Sequence, residues 1–459
     1  RTLLEHCEST DMKSKKSIDK RQAIVIILLI FCLCPLIAEP CGDVNSNGEI
    51  DIIDALWIAR YFVGFDPKPF DQFAADVSGD GDITIIDALQ IAQYYTGNIK
   101  ILLGCEKPVD CNWTQRIKLT FSNKAQAEDL IDFPVLIVLD GSRINYTQTQ
   151  DAGQDIRFVD PDKRILAHEI EEWNETGTSS VWVKVPQING GSDTDYIWMY
   201  YGNPNAPDGQ VPVGVWVSDY RMVYHLADKS GTILDSSAHS FTGTNYSTTP
   251  TTGFIAGARD FDGLNSYIDL GRNLAVINGV GIVTLSAWIR PDDLVGRGDI
   301  IAISIGGDWL TDYSRASIYQ YDDEAGVIAK APDSQGMHLI DTASDALTLN
   351  WHYVAAVIDY AGNGVTIYVD GISQPLADTP NFEAPVTDDT NSANAALGSE
   401  DDACCYFFDG RIDEVRVAAS ARSVDWVAAQ YASMTDNFIT YGSGEDTPAT
   451  LLPESFHGD

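Results

Sequence analysis

The chain has 459 residues, enough for about three domains, and 44% of them are apolar, which places it among globular proteins rather than disordered ones. Its 67 acidic residues outnumber 29 basic ones and leave a formal charge of −38. That balance excludes nucleic acid as a partner, because no basic cluster is present to neutralise phosphates, and it fits an exported protein with a solvated acidic surface.

Residues 1–11 precede Met12 and read as upstream read-through or a fragment. From Met12 onward, Lys13, Lys15, Lys16, Lys20 and Arg21 lead into the apolar run Ala23–Ala38, the basic and hydrophobic regions of a signal peptide over 12–38 with cleavage expected after Ala38. The run is shorter than the roughly 20 residues that a membrane-spanning helix needs, and no later segment is apolar enough to span. The expected location is therefore secreted, either extracellular or at the cell surface. Export permits disulfides. Without the leader, Cys41, Cys105, Cys111, Cys404 and Cys405 remain. Cys41 and Cys105 flank the next unit and are expected to clasp its ends. Cys404 and Cys405 pair with each other, or one of them takes Cys111.

Between 39 and 106 one short sequence is written twice. Asp43-Val-Asn-Ser-Asn-Gly-Glu-Ile-Asp-Ile-Ile-Asp54 returns 33 residues later as Asp76-Val-Ser-Gly-Asp-Gly-Asp-Ile-Thr-Ile-Ile-Asp87. Each copy sets oxygen-bearing side chains at the first, third, fifth, ninth and twelfth positions, with glycine at the sixth. This is the EF-hand spacing, in which alternate residues of a curled loop turn inward on a hard cation that takes about 6–8 oxygens. Calcium is the expected ion, two in all. The first ligand set is Asp43, Asn45, Asn47, Asp51 and Asp54 with the Glu49 carbonyl. The second is Asp76, Ser78, Asp80, Thr84 and Asp87 with the Asp82 carbonyl, Ser78 or Thr84 acting directly or through water. Apolar residues at helical spacing follow each loop, over 55–63 and 88–95, stopped by Gly64 and Gly97. Pro40 and Gly42 forbid an entering helix before the first loop.

A duplicated loop followed only by an exiting helix, with Asp at the twelfth position, closely resembles a dockerin. In that family the tenth and eleventh loop residues face a cohesin domain. The resemblance therefore implies a cohesin-type partner and places Ile52, Ile53, Ile85 and Ile86 at the contact. The same isoleucines could equally fill the small core or meet another part of this chain.

After Pro108 the period changes to that of strands. Runs at 113–120, 133–139, 156–159, 181–185 and 196–201 are β-branched and aromatic, separated by Gly, Asp, Asn and Pro, and predict an antiparallel sandwich over 107–217. Asp155–Val159, His168-Glu-Ile-Glu-Glu-Trp173 and Tyr200-Tyr-Gly-Asn-Pro204 resemble the secreted domain of unknown function 2341, which implies no reaction. The alternation at His168–Trp173 reads as a strand with one solvated face rather than as a metal or acid/base cluster. A third region, 218–445, carries Phe261–Leu270, Val283–Ile289, Trp351–Val357, Val365–Gly371 and Phe408–Val417, short strands with Asp-Gly turns. In order, these resemble a laminin-G-like, concanavalin A-like jelly roll, followed by a helix capped by Ser423. Residues 446–459 read as a flexible tail. The expected fold is thus multidomain and mainly β, with one small α unit.

Jelly rolls of this kind host lectins and glycosidases alike. A retaining glycosidase needs two carboxylates about 5–5.5 Å apart, supplied here by no Glu-x-Asp-x-x-Glu strand. Asp413 and Glu414 are adjacent, so regular alternation sends them to opposite faces. The family resemblance allows one further calcium near the sheet rim, with Asp228, Asp235 and Asp262 as candidates and Asp413 as a contributor. The sequence reads as a non-catalytic binding protein, for extracellular polysaccharide or a surface protein. It leaves open a glycoside hydrolase with an unrecognised site and a structural matrix component.

Overall fold

The computed structural model describes residues 41–447, apart from 46, 48, 80–81, 106–112, 217–218, 230, 273–275, 278, 304–314, 331–337, 361, 381–393, 401–402 and 404. The expected leader, Asp80, Cys111, Cys404, the Cys105 side chain and the tail beyond 447 lie outside the described residues. The described residues form one compact unit. The architecture is mainly β with one small helical region, as its patterning predicts.

Helix α1 (Ile52–Phe62) starts where Asp51 accepts from Ile53 N at 2.7 Å and Asp54 reaches back to Asp51 N at 2.8 Å, a reciprocal cap. After the single turn α2 (Gln72–Ala75), helix α3 (Ile85–Thr96) repeats that cap with Thr84 and Asp87 and stops at Gly97, whose φ of 78° suits glycine. Ala55 and Ile58 of α1 share one core with Ala88 and Ile91 of α3. The chain then returns to the second loop, where Gly104 N donates to Val77 O at 2.9 Å. A Cβ on Gly104 would lie 2.4 Å from Asp76 O, so only glycine permits the approach.

The middle domain packs two antiparallel sheets face to face. One is built on Gln115–Phe121 and Tyr196–Tyr201, the other on Leu130–Leu139, Ser179–Ile188 and His168–Glu172. Their inward residues, among them Leu119, Phe133, Ile137, Phe158, Val183 and Met199, form its core. The short helix α4 (Pro212–Val215) leads to the jelly roll, two eight-stranded antiparallel sheets closed on a core that includes Leu285, Ile301, Ile318, Ile367 and Ile412. Its first strand, Tyr220–Tyr224, pairs with Asp409–Ala418.

One boundary differs from the sequence expectation. Residues 424–446 belong by pattern with the jelly roll, and Tyr431 and Met434 do meet its Trp288, yet the segment also packs on the middle domain. Helix α5 (Val424–Met434), capped by Ser423 Oγ accepting from Trp426 N at 3.0 Å, sets Trp426 edge-on to Phe133 at 4.8 Å. The strands Ile439–Tyr441 and Glu445–Asp446 then pair antiparallel with Gln115–Phe121. The physical reason is the exposed edge of that strand, whose unpaired N–H and C=O groups need a partner. Trp426 is 7% exposed, so Trp426→Ala should cost about 3–5 kcal/mol. Denaturant midpoints will measure the loss, and hydrogen exchange should place it first in 130–139 and 179–188 rather than in the jelly-roll core.

Candidate functional site

In the first loop, side-chain oxygens already fold inward on the backbone. Asp43 Oδ1 accepts from Asn47 N at 2.9 Å, Asn47 Oδ1 from Glu49 N at 2.8 Å, and Asp54 Oδ1 from Asn45 N at 3.1 Å. The second loop matches it. Asp76 Oδ1 accepts from Gly79 N at 2.8 Å, and Asp87 takes Ser78 N at 2.9 Å and Thr84 N at 2.8 Å. In both copies the twelfth-position carboxylate thus ties the third and ninth residues together. Asp54 and Asp87 are fully buried, and Asp43 and Asn45 nearly so. Burial raises the Asp54 pKa, and the Asp43 and Asp51 carboxylates add to it against two backbone hydrogen bonds. Among the described residues, buried Asn45 Nδ2 has no hydrogen-bond partner. An acidic, oxygen-lined loop of this kind fits a hard divalent cation. Cys41 is disulfide-bonded, as is Cys405.

The isoleucine pairs diverge in their surroundings. Ile52, Ile53 and Ile85 are 47%, 42% and 45% exposed, so they do not fill the core, while Ile86 is half-buried. The second repeat is packed within the chain. Gln90 of α3 is 1% exposed and lies against Gly214 of α4, and the core of the two repeats continues into Ala167, Trp182, Val213 and Trp216. A cavity of about 420 Å³ at this seam is lined by Ser78, Thr84 and Ile86 on one side and by Arg164 and Lys184 on the other.

The strand His168–Glu172 corrects a second expectation. The face expected in solvent is closed: Glu169 is 9% exposed and the Glu171 side chain 1%, while His168 on the opposite face is fully buried. Glu169 and Glu171 face the jelly roll, where His225 stands between carboxylates, while His168 turns to Phe158 of the middle domain at 5.4 Å. His225 Nδ1 lies 2.5 Å from Glu414 Oε1 and 3.6 Å from Glu171 Oε2, and its Nε2 lies 3.3 Å from Glu169 Oε2. Trp182 Nε1 donates to Glu171 Oε2 at 2.9 Å, Trp216 Nε1 to Glu169 Oε2 at 2.7 Å, and Ser236 Oγ to Glu169 Oε1 at 2.6 Å. Arg416 Nη2 donates to Glu414 Oε2 at 2.5 Å, and its guanidinium lies over the Trp182 and Trp216 rings at 4.3 and 4.8 Å.

Burial works against every charge here, and the neighbours decide. Burial would lower the His225 pKa, but Glu414, Glu169 and Glu171 carry it well above the usual range. Burial would raise Glu414, but His225 and Arg416 bring it down to about 2. The same His225 charge, with the Ser236 and Trp216 hydrogen bonds, overcomes burial and lowers Glu169. Burial and the Glu414 charge push Glu171 and Asp413 well up.

Asp413 and Glu414 do not alternate as a regular strand requires. Both are fully buried, because the strand bulges: Ser286 faces Arg416 but Trp288 faces Asp413, and Glu414 takes a φ of 52°. The candidates for a rim calcium use their oxygens on local turns. Asp235 accepts from the Val223, Ser237 and Phe241 amides, and Asp262 from the Leu264, Asn265 and Ser266 amides. Asp228 Oδ1 accepts from Leu234 N, and Asp413 Oδ2 from Phe254 N and Ile255 N. Sequence reasoning missed His225 and Arg416 entirely. The available signal was a histidine directly after the strand Tyr220–Tyr224 and an arginine two residues from Glu414 in a strand that also carries Asp409, Arg411 and Asp413.

These features define a modular chain with a calcium-type repeat unit and two β-sandwich modules. Comparison with protein families divides it accordingly: residues 41–95 match the dockerin type I domain, 152–242 the domain of unknown function DUF2341, and 261–428 the concanavalin A-like lectin/glucanases superfamily. The chain therefore carries a dockerin, a DUF2341 domain and a concanavalin A-like jelly roll, and no catalytic-domain model matches. No curated protein matches. Among solved structures, domain 4 of an extracellular arabinanase from Geobacillus stearothermophilus, in complex with arabinotriose, is 18% identical with a TM-score of 0.35, over 46% of this chain and 98% of that one. The binding domain of botulinum neurotoxin DC, solved with rat synaptotagmin II, is 13% identical with a TM-score of 0.35, over 47% of this chain and 52% of that one. The Ruminococcus gnavus IT-sialidase CBM40 bound to α2,3-sialyllactose is 17% identical with a TM-score of 0.29, over 34% and 86%. Among the described residues no helix is long and apolar enough to cross a membrane.

His168 supplies a pH prediction. Burial first, then the Arg157 charge, bring its pKa down to about 3. An unfolded histidine titrates near 6.5, so the unfolded chain binds this proton more tightly. The stability of the fold is intact above about pH 6.5 and falls as pH drops toward 3, by about 2–3 kcal/mol at pH 4.5 from this group. His168→Leu should remove that share of the acid-side loss, measured as the difference between urea midpoints at pH 7.5 and 4.5.

Proposed function

We propose that the chain is a secreted, non-catalytic binding protein. Its dockerin holds one calcium ion in each loop and docks on a cohesin-type partner, while the jelly roll recognises extracellular polysaccharide or a surface protein. The reading is carried by the two loops, in which Asp54 and Asp87 make the same pair of backbone contacts in each copy. In this reading the first ion is held by Asp43, Asn45, Asn47, Asp51 and Asp54 with the Glu49 carbonyl. The second is held by Asp76, Ser78, Asp80, Thr84 and Asp87 with the Asp82 carbonyl. Bound calcium supplies positive charge to crowded carboxylates and fixes the start of each helix.

Calorimetric titration of the full chain after chelation is expected to count two ions. Asp54→Ala and Asp87→Ala should each weaken one site by about tenfold or more and leave the other measurable. Two unchanged sites in both variants would place calcium elsewhere.

The exposed pair Ile52 and Ile53 is the proposed cohesin contact, because the second repeat is packed against the middle domain. Ile52→Asp should abolish capture of cohesin-bearing proteins and change stability by no more than about 0.5 kcal/mol, as expected for a surface position. Retained capture would move the contact to another face. A glycan array probed with the full chain, with and without calcium, tests the jelly roll. Reducing ends released from a bound polysaccharide, and lost on one Asp or Glu substitution, would instead indicate a hydrolase.

A further inference from the structure

The seam between the middle domain and the jelly roll buries Glu169, Glu171, Asp413 and Glu414 around Arg416 and His225. Four carboxyl groups against one permanent cation leave a deficit of positive charge, which burial makes costly. Either protons or a bound cation must supply it.

The geometry points to a cation. We propose that Glu171, His225 and Glu414 form a site for a divalent transition-metal ion that staples the middle domain to the jelly roll. One ligand atom from each residue lies within 4.8 Å of the others. The remaining atom of each is already held in place: His225 Nε2 by Glu169, Glu414 Oε2 by Arg416, and Glu171 Oε2 by Trp182. A histidine whose second nitrogen faces a carboxylate is the usual arrangement behind a metal ligand, since that contact fixes the ring and raises its basicity. A separate observation is the orphaned oxygen. Glu171 Oε1 is reached by no donor among the described residues, although its side chain is 1% exposed. Asp413 Oδ1 is orphaned in the same way.

The donor set selects the ion. One imidazole nitrogen with two carboxylates suits zinc, manganese or iron, whereas calcium wants about 6–8 oxygens. Metal bonds of about 2.0–2.2 Å put neighbouring ligand atoms about 3.3 Å apart. The 3.6 Å from His225 Nδ1 to Glu171 Oε2, the oxygen held by Trp182, sets the Glu171 carboxylate beside the ring, and the 2.5 Å from His225 to Glu414 must open. Glu414 sits on the bulge of its strand, where the backbone departs from a regular ladder and can give. Solvent reaches one edge, because the His225 and Glu169 side chains remain 10% and 12% exposed. The match to DUF2341 runs to residue 242 and so takes in Glu169, Glu171 and also His225, although His225 follows a strand of the jelly roll.

The test uses the full chain, stripped with chelator and then kept in excess calcium so that the dockerin loops do not compete. Zinc alone is added, and its content is measured after gel filtration. The expected result is about one zinc per chain, a melting temperature raised by several degrees, and a loss of retained zinc to under about a tenth in Glu171→Gln. Glutamine keeps the acceptor for Trp182, so that variant should melt with the parent in chelator. Cobalt provides a readout that needs no variant: bound through these ligands, it should give visible ligand-field bands that zinc abolishes. Three results would overturn the proposal: no retained zinc, no cobalt spectrum, or equal zinc retention in Glu171→Gln. A chain that ignores zinc, but loses stability as pH rises, would identify protons as the balancing charge and also refute the metal site.

Discussion

Charge compensation out of water is the constraint on which the arrangement of domains rests. A lone buried carboxylate is strongly disfavoured, so Glu169, Glu171, Asp413 and Glu414 can share one seam only with His225 and Arg416 among them. No one module contains the whole set. Glu169 and Glu171 come from the middle sandwich, while His225, Asp413, Glu414 and Arg416 come from strands of the jelly roll or the residue that follows one. Trp182 and Trp216 close the set, each giving an indole N–H to a carboxylate and a ring face to the guanidinium. The two β modules are therefore locked in one relative position by polar groups that cannot separate without leaving charge unpaired.

The dockerin is tied in by a different kind of force. Its core runs into that of the middle domain through apolar contact around Val213 and Trp216, and Gln90 is buried in passing. The symmetry of the repeats is thereby broken: two nearly identical loops end in different surroundings, and only the first keeps both isoleucines in solvent. A duplicated sequence presents one available face.

What could be read beforehand follows from how local each signal is. The calcium loops were legible because their ligands lie within twelve residues and each position answers to the same geometric demand. The sandwiches were legible from alternation. The interdomain cluster was not, since residues 171, 225 and 414 meet only when three distant strands do. Alternation misleads at that very place. The bulge at Glu414 puts two adjacent acids inside, and a register shift beside Ile170 accompanies the burial of a strand whose pattern reads as half solvated. The return of residues 424–446 to the middle domain was hidden for a related reason: an open strand edge chooses its partner by geometry, and nothing in the partner's own sequence announces it.

That return also sets an order of events for a chain that emerges from one end. Gln115 pairs with Asp446 across 331 positions, so the first strand of the middle domain waits for nearly the whole jelly roll before its edge is covered. Closing so long a loop costs only slightly more than closing a short one, because the entropy grows with the logarithm of length. The delay is kinetic. Until the last strands arrive, the 115–121 edge is an open template for any other strand, and the middle domain passes through synthesis unfinished while the jelly roll is free to form. Of the two β domains, the one that begins first is completed last.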